Sequence, residues 1–151
     1  MQYKYLGNTL LGDGGNKLLS LSALEKIPVV GLYFTAEWCP PCKIFTPHLL
    51  KFYKEVNKDE KKFEVVLVSC DLDLQEFEIH FKQHPWLSLP FDQKLCSEIA
   101  ERYDVSQVPT LVILRRNGKM LKKEGRYDVR FKPEDCLDSW ILCEVDEEND
   151  K

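Results

Sequence analysis

Cys39 and Cys42 stand three residues apart in Trp38-Cys39-Pro40-Pro41-Cys42, a spacing at which two thiols can be oxidised and reduced as a pair. Thiol–disulfide exchange needs a thiolate that attacks and a second thiol that resolves the mixed disulfide. Cys39 falls where an apolar run ends and a helical pattern begins. Unpaired N–H groups and the helix dipole can stabilise its thiolate there, so its pKa is expected below the roughly 8.5 of free cysteine. Cys42 lies one turn on, on the same side, so Cys39 is assigned the attack and Cys42 the resolving step. Pro40 and Pro41 have no N–H and a restricted φ, so they stiffen the loop and change how many donors reach the sulfur. A zinc knuckle or two inert thiols would be the alternatives. Zinc needs four ligands, and Cys70, Cys96, Cys136 and Cys143 offer no second CxxC.

The elements that must hold this pair are legible from periodicity. Residues 28–34 form a continuous apolar run, as in a strand buried on both faces. Phe45, Leu49, Phe52 and Val56 recur at helical spacing over residues 40–57, with Pro47 inside and expected to kink the helix. Residues 63–69 read as a second buried strand, so the order strand, helix, strand implies a right-handed parallel crossover. Leu74, Phe77 and Phe81 suggest one further helix and Leu95, Ile99 and Tyr103 another, with residues 85–90 as the loop between them. Residues 110–114 are a third strand, and Asn117-Gly118 predicts a hairpin returning through residues 119–122. A last helix is predicted from Pro133, turning Cys136, Leu137, Trp140, Ile141 and Cys143 inward. The expected organisation is an N-terminal arm or hairpin over residues 1–27, a domain over 28–145 and an acidic tail over 146–151. Frayed acidic residues are expected from Glu144. Together these elements make one α/β domain with a mixed central sheet.

At 151 residues, 44% apolar and 30% charged, the chain has the composition of a globular protein and can bury a real core. A net charge of −4 with both signs scattered offers no basic stripe for nucleic acid and no polybasic membrane patch. The opening Met1-Gln2-Tyr3-Lys4-Tyr5 has no apolar signal core, so a cytoplasmic location is expected, the nucleus being the other candidate. A reducing compartment disfavours a static disulfide framework and favours a catalytic pair. A monomer is expected.

Several segments together resemble the thioredoxin superfamily, and within it tryparedoxins and nucleoredoxins. They are residues 33–42 around Trp38-Cys39-Pro40-Pro41-Cys42, Phe45-Thr46-Pro47, Phe63-Glu64-Val65-Val66, Pro85-Trp86-Leu87-Ser88-Leu89-Pro90-Phe91 and Val108-Pro109-Thr110-Leu111. The resemblance runs from about residue 28 to 140. It implies a thioredoxin fold, to which the Gly-punctuated residues 1–27 would add an N-terminal β-hairpin extension, with a nucleophilic Cys39, a resolving Cys42 and a cis-Pro109 facing them. From spacing alone Pro109 reads as a strand start, since only about 5–6% of X-Pro bonds are cis. The resemblance also implies that the Val108 backbone pairs with a substrate chain, and that Trp38, Pro40 and the neighbourhood of Trp86 form a shallow docking surface. Arg126, in Gly125-Arg126, would guide an acidic partner. Tyr33 occupies the position where ordinary thioredoxins carry a buried Asp, so proton handling is expected from elsewhere, with Asp71 the candidate. Cys70 stands in place of an aromatic and Leu72 in place of an acid, so partner choice is expected to differ.

The activity this predicts is reduction of protein disulfides, peroxiredoxin-like ones among the substrates. No bound cofactor is expected; a low-molecular-weight thiol or a thioredoxin-reductase-type protein would recharge the pair. A redox-switched binding module in signalling is the alternative. His48, His80 and His84 show no triad or ligand spacing and read as surface or packing residues, and Cys70, Cys96, Cys136 and Cys143 as free thiols.

Overall fold

The computed structural model describes residues 3–149. Seven strands form one sheet in the order β2-β1-β5-β4-β3-β6-β7. At its centre β3 (Val29–Thr35) and β4 (Phe63–Ser69) pair in parallel, in register from Val29 opposite Phe63 to Thr35 opposite Ser69. Every residue of both strands is buried, which is why they read as unbroken apolar runs rather than alternating ones. Between them α1 (Pro40–Val56) makes the crossover, and the chain runs through Pro47 without leaving the helix. On the other side of β3, β6 (Thr110–Leu114) is antiparallel, and β7 (Met120–Lys122) pairs with β6. The turn between them places Gly118 at φ +85°, a conformation that glycine adopts without steric cost. These are the mixed sheet and flanking helices expected of a thioredoxin fold.

Side chains on β3 alternate between two cores. Val29 and Tyr33 join Phe45, Leu49 and Phe52 of α1, with Trp86 and Trp140, on one face. Val30, Leu32 and Phe34 join a second cluster with Ile99 and Tyr103 on the other. That second face is closed by the N-terminal segment, whose Leu6, Leu10 and Leu24 have no exposed surface. The hairpin of β1 (Thr9–Gly12) and β2 (Lys17–Ser20) joins the sheet through β5 (Leu87–Ser88), which lies between β1 and β4. Residues 85–90, expected to be loop, therefore contain a strand. Pro85 and Pro90 bracket it and limit its pairing to two residues, too short a stretch for periodicity to register.

Helices α2 (Leu74–Lys82) and α3 (Gln93–Arg102) start where an aspartate caps the first turn. Asp73 accepts from Glu76 N–H at 2.8 Å and Asp92 from Leu95 N–H at 3.0 Å. Glu76 reaches back in turn, accepting from the N–H of Leu72, the residue before the cap, at 3.0 Å. The cap sets the phase of α2 so that Phe77, His80 and Phe81 face inward, followed by His84 just beyond the helix, while Leu74, expected on the inner stripe, is exposed.

The C-terminal region departs from expectation. A short helix, α4 (Gly125–Phe131), precedes the last one, and α5 (Cys136–Asn149) begins three residues after Pro133, which lies in the connecting turn. Asp128 supplies the reason for α4: its carboxylate is buried and accepts from Lys122 Nζ at 2.7 Å and Trp140 Nε1 at 3.0 Å, tying β7, α4 and α5 together. No periodic apolar stripe announces such a helix. Cys136, Leu137 and Trp140 are buried as expected, while the Cys143 side chain lies outside the described residues. Helix continues to Asn149 where a frayed tail was expected, since no glycine or proline interrupts residues 136–149.

Gly125 fits because α4 approaches β6 closely. A Cβ there would lie 2.8 Å from the Leu111 carbonyl oxygen and 2.7 Å from Ile113 Cδ1, and the backbone oxygen cannot swing aside. Gly125→Ala is expected to lower stability by about 1–3 kcal/mol, read as a reduced urea midpoint with an unchanged slope.

Candidate active site

The site forms where β3 ends and α1 begins. Cys39 is the N-cap of α1, with extended backbone at φ −93° and ψ 109°, and Pro40 and Pro41 occupy the first two helical positions. Because neither proline has an N–H, the first backbone donor of the helix is Cys42, and its N–H points at Cys39 Sγ at 3.2 Å. The prolines thus leave one nearby amide aimed at the sulfur, which answers how the loop sequence shapes its environment. Cys39 and Cys42 are disulfide-bonded with their Cα atoms 5.3 Å apart. Both residues are only 2% exposed.

The Val108–Pro109 peptide is cis, and the Val108 carbonyl oxygen lies 3.8 Å from Cys39 Sγ. Pro109 is buried, whereas Val108 is half-buried at the rim. Trp38 is 52% exposed on the opposite rim, and its indole N–H donates to the Cys70 carbonyl oxygen at 3.4 Å. Pro40 and Pro41 are exposed beside it. Cys39, Cys42, Trp38, Pro40, Pro41, Val108 and Pro109 are therefore one constellation.

The remaining candidates separate into distinct settings. Tyr33 has no exposed surface; its hydroxyl hydrogen-bonds Thr46 Oγ1 at 2.8 Å, its ring meets Phe45 and Trp86 edge-on, and burial pushes its pKa up. Trp86 corrects an expectation. It too has no exposed surface, packed edge-on to Tyr33 and Tyr53 and stacked on His84, so it supports the site from below and no partner can touch it. Its large apolar area goes to the core, because Tyr33 of β3, Tyr53 of α1 and His84 surround it. Arg126 is exposed on the first turn of α4, in a groove of about 370 Å³ shared with Ile44, Tyr127, Arg130 and Phe131. That groove combines positive charge with exposed apolar surface.

Asp71 lies just past β4, buried and fully engaged. Oδ1 accepts from Glu37 N–H at 2.7 Å, and Oδ2 accepts from Ser69 Oγ–H at 2.7 Å and from His80 Nδ1 at 3.1 Å. Burial pushes the carboxyl up, but the hydrogen bonds from His80, Ser69 and the Glu37 amide outweigh it and hold Asp71 below the usual carboxylate range. The Glu37 contact reaches directly into the loop that carries Cys39. His80, read from sequence as surface or packing, is thus a member of the site. It lines a second cavity of about 370 Å³ together with Cys42, Thr46 and His84. Burial, then the neighbouring His80, lowers the His84 pKa to about 4. The signal for His80 and His84 was present in the sequence: with Phe77 and Phe81 they complete an i, i+3, i+4, i+7 pattern.

A model of the family described as thioredoxin-like matches residues 28–120. The tryparedoxin of Trypanosoma brucei brucei is 40% identical over 141 residues, covering 91% of this chain and 95% of that protein. Probable nucleoredoxin 1 of Arabidopsis thaliana is 36% identical over 119 residues, 79% of this chain and 20% of that protein, so the chain spans about a fifth of that relative's length. Among solved structures, tryparedoxin II complexed with glutathionylspermidine superposes with a TM-score of 0.79 at 33% identity, covering 87% of this chain and 92% of that one.

The Asp71 network has a pH signature. A folded-state pKa held low means that its stabilisation is fully present above the unfolded carboxylate value of about 3.9 and is lost as the pH falls through the folded value. Asp71→Asn is expected to cost about 1–3 kcal/mol near neutral pH, with the deficit shrinking in acid. Urea midpoints of both proteins from pH 7 to pH 2.5 check this; a gap independent of pH would refute it.

Proposed function

The chain belongs to the thioredoxin-like family, and from that premise we propose that it is a protein-disulfide reductase working through Cys39 and Cys42. The observation that carries this reading is the bonded pair at the N-terminus of α1, facing the backbone of Val108 before a cis proline. The Cys39 thiolate attacks one sulfur of a substrate disulfide, whose other sulfur leaves as a thiolate. Cys42 then attacks Cys39 Sγ in the mixed disulfide and releases the second substrate thiol. The product is the Cys39–Cys42 disulfide, with two electrons passed to the substrate. An external dithiol returns the pair to the reduced form.

Each neighbour has a part in this sequence. The enclosed sulfurs favour a substrate that lays an extended chain across the rim between Trp38 and Val108. Pro40 and Pro41 keep competing amides away and leave the Cys42 N–H as the donor to a Cys39 thiolate. Tyr33 is a packing residue whose burial keeps its hydroxyl protonated. Proton handling falls to Asp71 and His80: the imidazole donates through Nδ1 to Asp71, leaving Nε2 as the acceptor in the cavity it shares with Cys42. No bound cofactor takes part.

The proposed donor is a low-molecular-weight thiol, a reading supported by the tryparedoxin II complex with glutathionylspermidine, with a thioredoxin-reductase-type protein as the other source. Peroxiredoxin-like disulfides are among the proposed substrates. The chain is proposed to act as a monomer in the reducing cytoplasm, or in the nucleus, which sets the direction as reduction.

Dithiothreitol-driven reduction of insulin tests the assignment. Wild type is expected to accelerate it, Cys39→Ser to fall to the rate of dithiothreitol alone, and Cys42→Ser to accumulate a mixed disulfide. A wild type no faster than dithiothreitol would set the reductase reading aside in favour of a redox-switched binding module. Arg126→Glu is expected to raise the KM for glutathione, whose carboxylates would face the α4 groove, by roughly 2–5-fold at low ionic strength. The difference should fade as salt rises.

A further inference from the structure

Two cysteines outside the active pair come together where the central strand β4 ends beside α3. Cys70 follows β4, where its N–H donates to the Thr35 carbonyl oxygen at 2.8 Å, and Cys96 lies in the first turns of α3. Twenty-six residues apart in sequence, their sulfurs are 3.7 Å apart. Both are half-buried and both line an open groove of about 580 Å³ with Trp38, Leu72, Gln93 and Val108. Cys70 also packs against the cluster of Ala36, Cys39 and Cys42. The pair is thus reachable from solvent and shares its groove with the two rim residues of the active site.

From this geometry we infer that Cys70 and Cys96 are a second redox couple, a reversible disulfide that a low-molecular-weight disulfide forms and a low-molecular-weight thiol reverses. Closing the bond requires the sulfurs to approach by about 1.7 Å, to the roughly 2.0 Å of a disulfide. The approach would combine rotation of both side chains with a shift of α3 toward the end of β4. The hydrogen bond from Cys70 to Cys96 pulls the Cys96 thiol below its ordinary value and, with burial, pushes that of Cys70 up, so Cys96 is the attacking sulfur. The Cys96 thiolate attacks glutathione disulfide, one glutathione leaves as thiolate, and a mixed disulfide forms. Cys70, losing its proton, then attacks Cys96 Sγ and expels the second glutathione. Two cysteine thiols are oxidised, one glutathione disulfide becomes two glutathione molecules, and the two protons end on them. The consequence for the rim, a narrower groove beside Trp38 and Val108, rests on the function proposed above; the bond itself does not.

The test uses a Cys39→Ser/Cys42→Ser chain, so that the active pair cannot contribute. The reduced protein is equilibrated with glutathione buffers of graded ratio, quenched by alkylation, digested without reductant and mapped by mass spectrometry. The expected result is loss of two free thiols together with a peptide cross-linked through Cys70 and Cys96, absent in Cys96→Ser and reversed by excess glutathione. Cys70 and Cys96 staying alkylatable across every buffer that fully oxidises Cys39–Cys42 in the wild type would overturn the inference, as would separate glutathione adducts that never link. Because the readout is a covalent bond, it stands or falls independently of insulin reduction. For the groove, acrylamide quenching of Trp38, the exposed tryptophan on its wall, should weaken in the Cys39→Ser/Cys42→Ser chain as the second bond forms and recover with excess glutathione; unchanged quenching would refute the narrowing.

Discussion

The parallel pairing of β3 with β4 is the constraint on which the chemistry of this molecule depends. Seven residue pairs in register end together at Thr35 and Ser69, and the two chains leave the sheet side by side. The next residue of one chain, Cys70, closes the ladder by donating to Thr35. One residue further, Asp71 reaches across to the Glu37 amide. A slip of one position would reverse which face every side chain meets. It would also separate Asp71 from the loop that presents Cys39. The active pair, the Asp71–His80 contact and the Cys70–Cys96 approach all follow from where this one ladder stops.

Beneath the active loop the protein treats its two sides differently. On the α1 side, Tyr33, Phe45 and Trp86 fill the space with edge-to-face aromatic contacts, and the Tyr33 hydroxyl is satisfied by Thr46. This is a stiff apolar floor, and a charge placed there would lack solvation. The ionisable group sits at the end of β4 instead, where four hydrogen-bonding groups can be assembled: the Glu37 amide, the Ser69 hydroxyl, the His80 imidazole and the Asp71 carboxylate itself. Burial disfavours that carboxylate's charge, and its three donors more than compensate. Moving the charge from beneath the thiols to their flank lets α2 contribute the histidine.

The face beyond Trp38 differs in kind. There two thiols stand where the end of β4 meets α3, within a groove that opens on the same rim as the catalytic loop. The indole links the two regions, since it covers one side of the groove and hydrogen-bonds the backbone of Cys70. Cys70 and Cys96 therefore share one groove with Trp38 and Val108. On the opposite side, the α4 groove with Arg126 and Arg130 is the basic counterpart of this mostly neutral one.

What the sequence alone determined was whatever is written in local pattern. The buried strands were legible because both faces are covered and the runs are unbroken. The reactive pair was legible because CxxC at a strand-to-helix junction is local chemistry, and α2 and α3 because their apolar residues recur at helical spacing. The resemblance to the family added the cis bond at Pro109, which spacing could not distinguish from a strand start. Only the tertiary structure decided the rest, because the information lies in pairs distant along the chain. β5 exists because two residues bridge the N-terminal hairpin to the core of the sheet, and α4 because Asp128 is held by Lys122 and Trp140. Trp86 moved from rim to floor because Tyr33, Tyr53 and His84 enclose it. His80 became part of the site, and Cys96 the neighbour of Cys70, through contacts spanning nine and twenty-six residues. The helical pattern could place His80 on the buried face of α2, but which residues these side chains meet is set by the packing of helices on a sheet whose central register is fixed by burial on both faces.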